Sequence, residues 1–325
     1  MPTTGLHADT LQDAVELACR APSFHNSQPW RWVLGHGRLH LFIDPDRIVD
    51  TDKSGRETLI SCGAVLDHLR VAAAAAGWTA TVERYPNADD PTLLAAIDFT
   101  PLTLVTDAHR RRADAILRRR TDRLPFAAPP DWESFDATLR EAIGDSGALL
   151  DVLTDDVRPQ VAEASQLSEA LRMYDSPYHA ELAWWTAPFA AYDGIPPTSL
   201  VSAEESDRVD VGRSFPVINH QDRRQDLPED HSKIVILSVA EDIRANVLRC
   251  GEALSAVLLE CTMAGLASCT LTHVIEVAAS RDVIISLIAQ PYPQVVIRVG
   301  VAPAGDDVPP PTPRRPVADV LHFRV

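Results

Sequence analysis

The polar and apolar positions fall into helical and strand-like periods that recur along the chain. Thr10–Arg20 and Trp132–Ile143 share an amphipathic spacing and predict surface helices. Each precedes a strand candidate, Trp30–Leu34 in the first case and Leu149–Leu153 in the second. Two longer segments, Ser61–Gly77 and Arg249–Gly265, are Ala/Leu-rich and predict buried helices that stop at a glycine. They align on one another: Cys62-Gly63 with Cys250-Gly251, Leu66 with Leu254, and Ala76-Gly77 with Ala264-Gly265, always 188 positions apart. Both lead into β-prone sequence, Thr79–Arg84 and Leu94–Phe99 after the first, Cys269–Leu271 and Gln294–Val299 after the second. Gly35-His-Gly37, between two strand candidates, reads as a hairpin turn.

Two recurring sets of elements in one order predict an internal duplication. The expected halves are 1–106 and 107–325. They are unequal: Leu17 to Cys62 spans 45 positions, whereas Leu139 to Cys250 spans 111. The second half therefore carries an insert of about 66 residues, near 160–231. It opens with a helical pattern over Val161–Tyr174 and continues through Tyr178–Ala191, rich in aromatics such as Trp184, Trp185 and Phe189. From Asp193 to Asp230 it is polar and turn-rich. A long irregular segment inside a compact unit is commonly a lid, a binding loop or disordered, and the aromatics argue that its first part is packed rather than disordered.

Composition narrows the partners. The 325 residues carry 30 basic and 46 acidic side chains, a net charge of −16, which disfavours nucleic acid and anionic membranes. The most apolar long stretch, Ala253–Leu271, contains Glu260 and reads as a buried helix, and Met1–Ala14 has neither a basic start nor an apolar run, so neither a membrane segment nor a secretory leader is expected. Five cysteines without a C-x-x-C pair suit reduced core thiols in the cytoplasm. Eleven histidines show no metal spacing, so no metal is expected. Only Lys53 and Lys233 are lysines, and seven arginines gather within Arg110–Arg123.

Three motifs carry candidate chemistry. Ala21-Pro-Ser-Phe-His-Asn-Ser-Gln-Pro-Trp30 joins a helix to a strand. Its prolines fix the backbone, and its polar side chains could read the edge of a planar heterocycle; a capped turn with a core tryptophan is the simpler alternative. Arg118-Arg-Arg-Thr-Asp-Arg-Leu-Pro-Phe126 places guanidinium forks and a hydroxyl where a helix gives way to a loop, a combination suited to a phosphate. Arg110–Arg112 read instead as solvated helix charges. Thr312-Pro-Arg-Arg-Pro316 offers a further basic pair in a proline-rich arm.

Together these motifs resemble those of the nitroreductase superfamily of FMN-dependent enzymes. The S-F-H-N-S-Q-P-W-R-W run, the C-G helices and the Y-H-A-E-L-x-W-W stretch resemble its Acg-type branch. The resemblance implies an α+β, three-layer α/β/α nitroreductase-like fold, duplicated within one chain as a pseudo-dimer. It implies FMN as cofactor, with Arg119, Arg120, Thr121 and Arg123 on the phosphate and Arg314 and Arg315 closing that end. Pro22, Ser23, Phe24, Asn26 and Gln28 would line ribityl and ring, and Thr272 and His273 would lie near flavin N5. His25 occupies a variable position and is expected to pack. No catalytic side chain is implied.

The departures are informative. The phosphate segment and the N-x-Q-P-W loop each occur once, and the counterpart loop, Gly144-Asp-Ser-Gly-Ala-Leu149, has neither asparagine nor Q-P-W. One FMN per chain and a monomer acting as a fused pseudo-dimer are therefore expected. Two readings follow. In one, NAD(P)H reduces the flavin, which reduces a nitro or quinone acceptor. In the other, the insert covers a flavin that is held or stored without turnover, with Gly194–Pro197, Phe215, Arg223 and Arg224 as candidate cover.

Overall fold

The computed structural model describes residues 7–35, 37–188, 192–288, 290–304 and 310–324; Phe189 of the insert lies outside them. The first half runs α1 (Ala8–Ala18), β1 (Trp30–Gly35), β2 (Arg38–Ile43), α2 (Arg56–Ala75), β3 (Trp78–Arg84) and β4 (Leu93–Pro101). After α3 (Asp107–Arg118) come α4 (Trp132–Ile143), β5 (Ala148–Leu153) and the insert helices α5 (Arg158–Arg172), α6 (Ser176–Trp185) and α7 (Ala203–Asp207). The chain continues through β6 (Lys233–Val239), α8 (Arg244–Met263), β7 (Ala267–Leu271), α9 (His273–Glu276), α10 (Ala278–Leu287) and β8 (Tyr292–Gly300). It ends in α11 (Val317–Val320) and β9 (Leu321–Phe323).

The two sheets repeat one strand order. The first is β3-β4-β2-β1-β9 and the second is β7-β8-β6-β5, with the corresponding neighbours antiparallel. Even the irregularity recurs: the β2/β4 ladder shifts register at Leu41/Phe42 and the β6/β8 ladder at Leu237/Ser238. The fifth strand is the C-terminal β9, which lies parallel to β1 and carries the end of the chain back onto the first sheet. Gly35 pairs with Arg38, and Gly37 takes the left-handed φ of 77° that a tight hairpin requires.

Alternation along the strands builds two cores. Val235, Leu237 and Val239 face the main core with Val295, Ile297 and Val299, joining both sheets through α2 and α8. Ile234, Ile236 and Val296 face the other way, onto Val161, Ala164, Val274 and Ile284 of α5, α9 and α10. The second half is thus three-layered. On the first sheet, Arg38 pairs with Glu83 and Asp98, each at 2.9 Å.

Helices α2 and α8 cross where glycine allows backbone contact. A Cβ on Gly63 would lie 2.0 Å from the Leu248 carbonyl oxygen, and one on Gly251 would lie 2.2 Å from the Ile60 carbonyl oxygen. Among the described helices only α2 has the length and hydropathy of a membrane span, and most of it is buried inside the protein. All five cysteines are buried and unpaired, and burial pushes the Cys19, Cys250 and Cys261 thiols up to about 12. No group of described residues has the makings of a metal site.

Candidate functional site

Between the end of α1, the first turns of α2, the loop after α3, β7 and the insert lies a cavity of about 490 Å³, within the range of small-molecule sites. Pro22, Ser23, Phe24, Asn26, Arg119, Arg120, Thr121, Arg123, Thr272 and Arg314 all line it. Gln28, His273 and Arg315 do not.

The first-half wall is a strained loop. His25, Asn26 and Gln28 have φ of 50°, 58° and 53°, in the left-handed region that non-glycine residues avoid. Side chains hold it there. Ser23 Oγ accepts the Gln28 amide N–H at 3.1 Å, and Ser61 Oγ of α2 accepts that of Phe24 at 3.1 Å. Asn26 Nδ2 donates to the carbonyls of Gly194 at 3.0 Å and Pro313 at 3.2 Å, tying the loop to the insert and the C-terminal arm. Gln28 is fully buried behind the cavity: its Nε2 donates to the Tyr192 carbonyl at 2.8 Å and its Oε1 accepts the Arg315 N–H at 2.9 Å. Arg315 in turn reaches Asp44 at 3.1 Å. Both therefore brace the loop from behind. His25 packs as expected, against Phe24 with ring centroids 4.0 Å apart and edge-on to Phe215.

The opposite end is positively charged. Helix α3 stops at Arg118, and Arg119 turns the chain out at ψ 132°. Arg119 is only 7 % exposed, yet its side chain bonds to no described residue; its Nε is one of the buried polar atoms without a partner. Arg120 Nη1 bonds to the carbonyls of Leu117 and Arg119, leaving its own Nε unpaired. Arg123 donates to the Ser199 carbonyl at 3.2 Å and stacks 4.9 Å from the Phe215 ring centroid. Arg20 and Arg314 complete the group. Arg314 spends its five N–H donors on the carbonyls of Cys19, Arg20, Ala21, Thr312 and Pro313, so it contributes charge but no free donor.

None of these five guanidiniums pairs with a carboxylate among the described residues. Burial, then the neighbouring Arg120 and Arg20, lower Arg119 to about 10, and burial with Arg119 and Arg20 pulls Arg314 well below its ordinary value. Buried unpaired charge is costly, so the arrangement favours an anion in the cavity. By contrast, Asp122 within the same motif is engaged by Arg224 of the insert at 2.5 Å. Arg110 pairs with Asp107 on the surface, as solvated helix charges do.

Residues that sequence reasoning missed come from the insert and from α9. Arg213 lies over Phe24, its guanidinium 5.3 Å from the ring centroid, and donates to Thr272 Oγ1 at 3.1 Å and to Glu276. Arg172 donates to the other Glu276 oxygen at 2.6 Å. The carboxylate of Glu276 is held well below its usual range by these two arginines despite its burial. His273 stays out of the cavity lining, its Nε2 2.8 Å from Oγ of the lining Ser165, and burial followed by Arg213 holds it neutral, with its pKa lowered to about 3. Gly194, Ile195, Pro196 and Phe215 of the insert also line the cavity, whereas Arg223 binds Glu205. The i,i+4 spacing of Thr272 and Glu276 was a readable signal; the irregular run around Arg213 offered none.

Another cavity, of about 510 Å³, lies beside Gly144–Ser146 and Arg249, which aligns with Ser61 of the first site. Three arginines that line it meet carboxylates. Arg84 grips Glu252 through bonds of 2.7 and 2.6 Å, Arg70 lies 3.7 Å from the same carboxylate, and Arg112 meets Glu260 at 2.7 Å.

No family model matches the chain. Over 326 residues it is 58 % identical to a Mycobacterium tuberculosis H37Rv protein described as "Putative NAD(P)H nitroreductase acg", covering 100 % of this chain and 98 % of that one. A second protein of that strain, Rv3131, described in the same terms, is 36 % identical over 97 % of this chain and 92 % of its own. Among solved structures, the FMN-dependent nitroreductase NfnB from Mycobacterium smegmatis, in complex with NADPH, aligns with a TM-score of 0.41 and 14 % identity, over 67 % of this chain and 100 % of that one.

Proposed function

The chain belongs to the acg family of nitroreductase-like proteins, and from that premise we propose that it binds one FMN in the 490 Å³ cavity and acts as an NAD(P)H-dependent oxidoreductase. The single observation that carries this reading is the buried Arg119 with no partner, one of five cavity-lining guanidiniums that lack a carboxylate among the described residues. A phosphate monoester would supply the missing charge, with Arg119, Arg120, Thr121 and Arg123 as its donors and Arg20 and Arg314 adding field.

Pro22, Ser23, Phe24 and Asn26 would flank ribityl and ring, with Thr272 across the cavity. Gln28, Arg315 and His273 would position this wall from behind. Bound FMN would supply two-electron redox chemistry, taking hydride from NADH or NADPH and passing reducing equivalents to a nitro or quinone acceptor. The protein's part is to hold the ring, exclude water and place charge.

The repeated strand order and the 188-residue offset support a fused pseudo-dimer, with halves 1–106 and 107–325 and the insert near 160–231, needing no second chain. The counterpart loop Gly144–Leu149, which has neither asparagine nor Q-P-W, supports a single site. Five unpaired thiols suit a cytoplasmic setting.

Anaerobic mixing of the FMN-loaded protein with NADH or NADPH tests the reading: the flavin absorbance should bleach. Bleaching by dithionite but not by either nucleotide would replace it with a flavin store closed by the insert.

A further inference from the structure

Glu57, in the first turn of α2, is the one described residue that lines both the site cavity and a second cavity of about 1190 Å³. The second cavity is bounded by loop 46–54, by α6 and by Arg244 and Val247 of α8. Elsewhere the two spaces are separated by an ionic partition: Arg213 on the site side binds Glu276, which with Arg172 lines the second cavity.

The surroundings of Glu57 set it apart from Glu276. It is 3 % exposed, and Arg56 donates to its Oε1 from Nε at 3.2 Å and Nη2 at 3.1 Å. Asp52 lies on its other side, accepting the backbone N–H groups of Glu57 at 3.3 Å and Thr58 at 2.8 Å. The other nearby cations are committed elsewhere, Arg213 and Arg172 to Glu276 and Arg244 to the Pro91 carbonyl. Lys53, Glu181 and Arg281 also line the second cavity, Glu181 bonded to Thr51. Burial, then Asp52, push Glu57 up to about 8 against the pull of Arg56. Two buried carboxyls driven in opposite directions beside one cavity are the pattern of an acid and a fixed charge.

We propose that Glu57 is the proton carrier of this site, passing a proton from water in the second cavity to a ligand heteroatom in the first. The inference rests on the redox reading above. Hydride delivers two electrons and one proton to an acceptor, and a further proton completes the reduction. That proton leaves the Glu57 O–H bond, the carboxylate so formed stays against Arg56, and hydronium or a buffer acid in the second cavity restores it.

The test uses the full chain and Glu57→Gln. Difference infrared spectra of the wild type, with and without FMN, should show a protonated carboxyl band lost through pH ~8, absent in the variant. FMN affinity of the variant should stay within about threefold of wild type, because the phosphate donors are untouched. Single-turnover oxidation of the reduced protein by a quinone should slow by roughly 100-fold and lose its alkaline limb. Asp52→Asn should lower the midpoint of the infrared transition, a second readout should Glu57→Gln not fold. A band that survives Glu57→Gln, an unmoved midpoint in Asp52→Asn, or an unchanged pH profile overturns the inference. Absence of FMN binding in the wild type overturns the redox reading itself, and the infrared titration separates the two failures.

Discussion

Ser255 of α8 donates a 2.6 Å hydrogen bond to Asp67 of α2, and the two residues lie 188 positions apart in the chain. Gly63 and Gly251, which touch backbone to backbone, have the same separation, as do Ile60 and Leu248, whose carbonyls oppose those glycines. Residues at one position of two copies meet each other only at a two-fold axis. These contacts are what two copies of one fold would give if the axis passed between α2 and α8.

Helix contact at that axis should be intolerant of a single methyl group. Gly63→Ala or Gly251→Ala forces a Cβ into backbone, which no side-chain rotation relieves. Each should cost about 3 kcal/mol or more. A melting temperature within a degree or two of wild type would argue against this crossing.

Much of this was legible in the sequence. The C-G pairs, the glycine stops and the strand candidates located α2, α8 and their partner strands, because buried helices and half-buried strands leave periodic traces. The two motif loops were legible as well, since proline and clustered arginine mark backbone and charge directly. What stayed hidden depends on long-range closure. Arg213 lies in an irregular run, Arg314 turned three of its donors onto the carbonyls of Cys19, Arg20 and Ala21, 293 to 295 positions away, and Arg315 with Gln28 became braces. Spacing along the chain does not encode which side of a loop faces a cavity.

Arg119 should affect stability and binding with opposite signs. Without an anion, Arg119→Met removes a buried unpaired charge and should raise the melting temperature of the FMN-free protein. Arg119→Ala with Arg123→Ala removes two charge-assisted contacts of roughly 1.5–3 kcal/mol each, so FMN affinity should fall by about 10²-fold or more. Fluorescence titration and melting curves read both effects, and equal FMN affinity in the double variant would remove the phosphate seat.

Gln28→Ala should loosen the insert. It leaves the Tyr192 carbonyl and the Arg315 N–H without their buried partner, at about 1–3 kcal/mol for each group left unsatisfied. Hydrogen exchange should quicken around 192–196 and 315 while remaining unchanged in β6 and β8. Uniform exchange throughout would show that Gln28 does not brace this wall.

Acid should destabilise the fold through His273 before most carboxylates titrate. Its native pKa is about 3, against 6.5 in an unfolded chain. Between those values the unfolded state binds a proton that the native state refuses, so stability falls as pH drops from 6.5 toward 3. Glu276, held low, adds a loss of the same sign at the acid end of this window. His273→Gln should flatten the upper part of the limb in urea melts at a series of pH values. An unaltered slope would mean that the imidazole is not held neutral.

Native mass spectrometry of the chain titrated with FMN addresses the central claim, that one site with unpaired arginines survives in a pseudo-symmetric chain. One FMN per single chain, displaced when Arg119 and Arg123 are both alanine, is the predicted result. Two FMN per chain, none, or a stoichiometry that requires a second chain would contradict it.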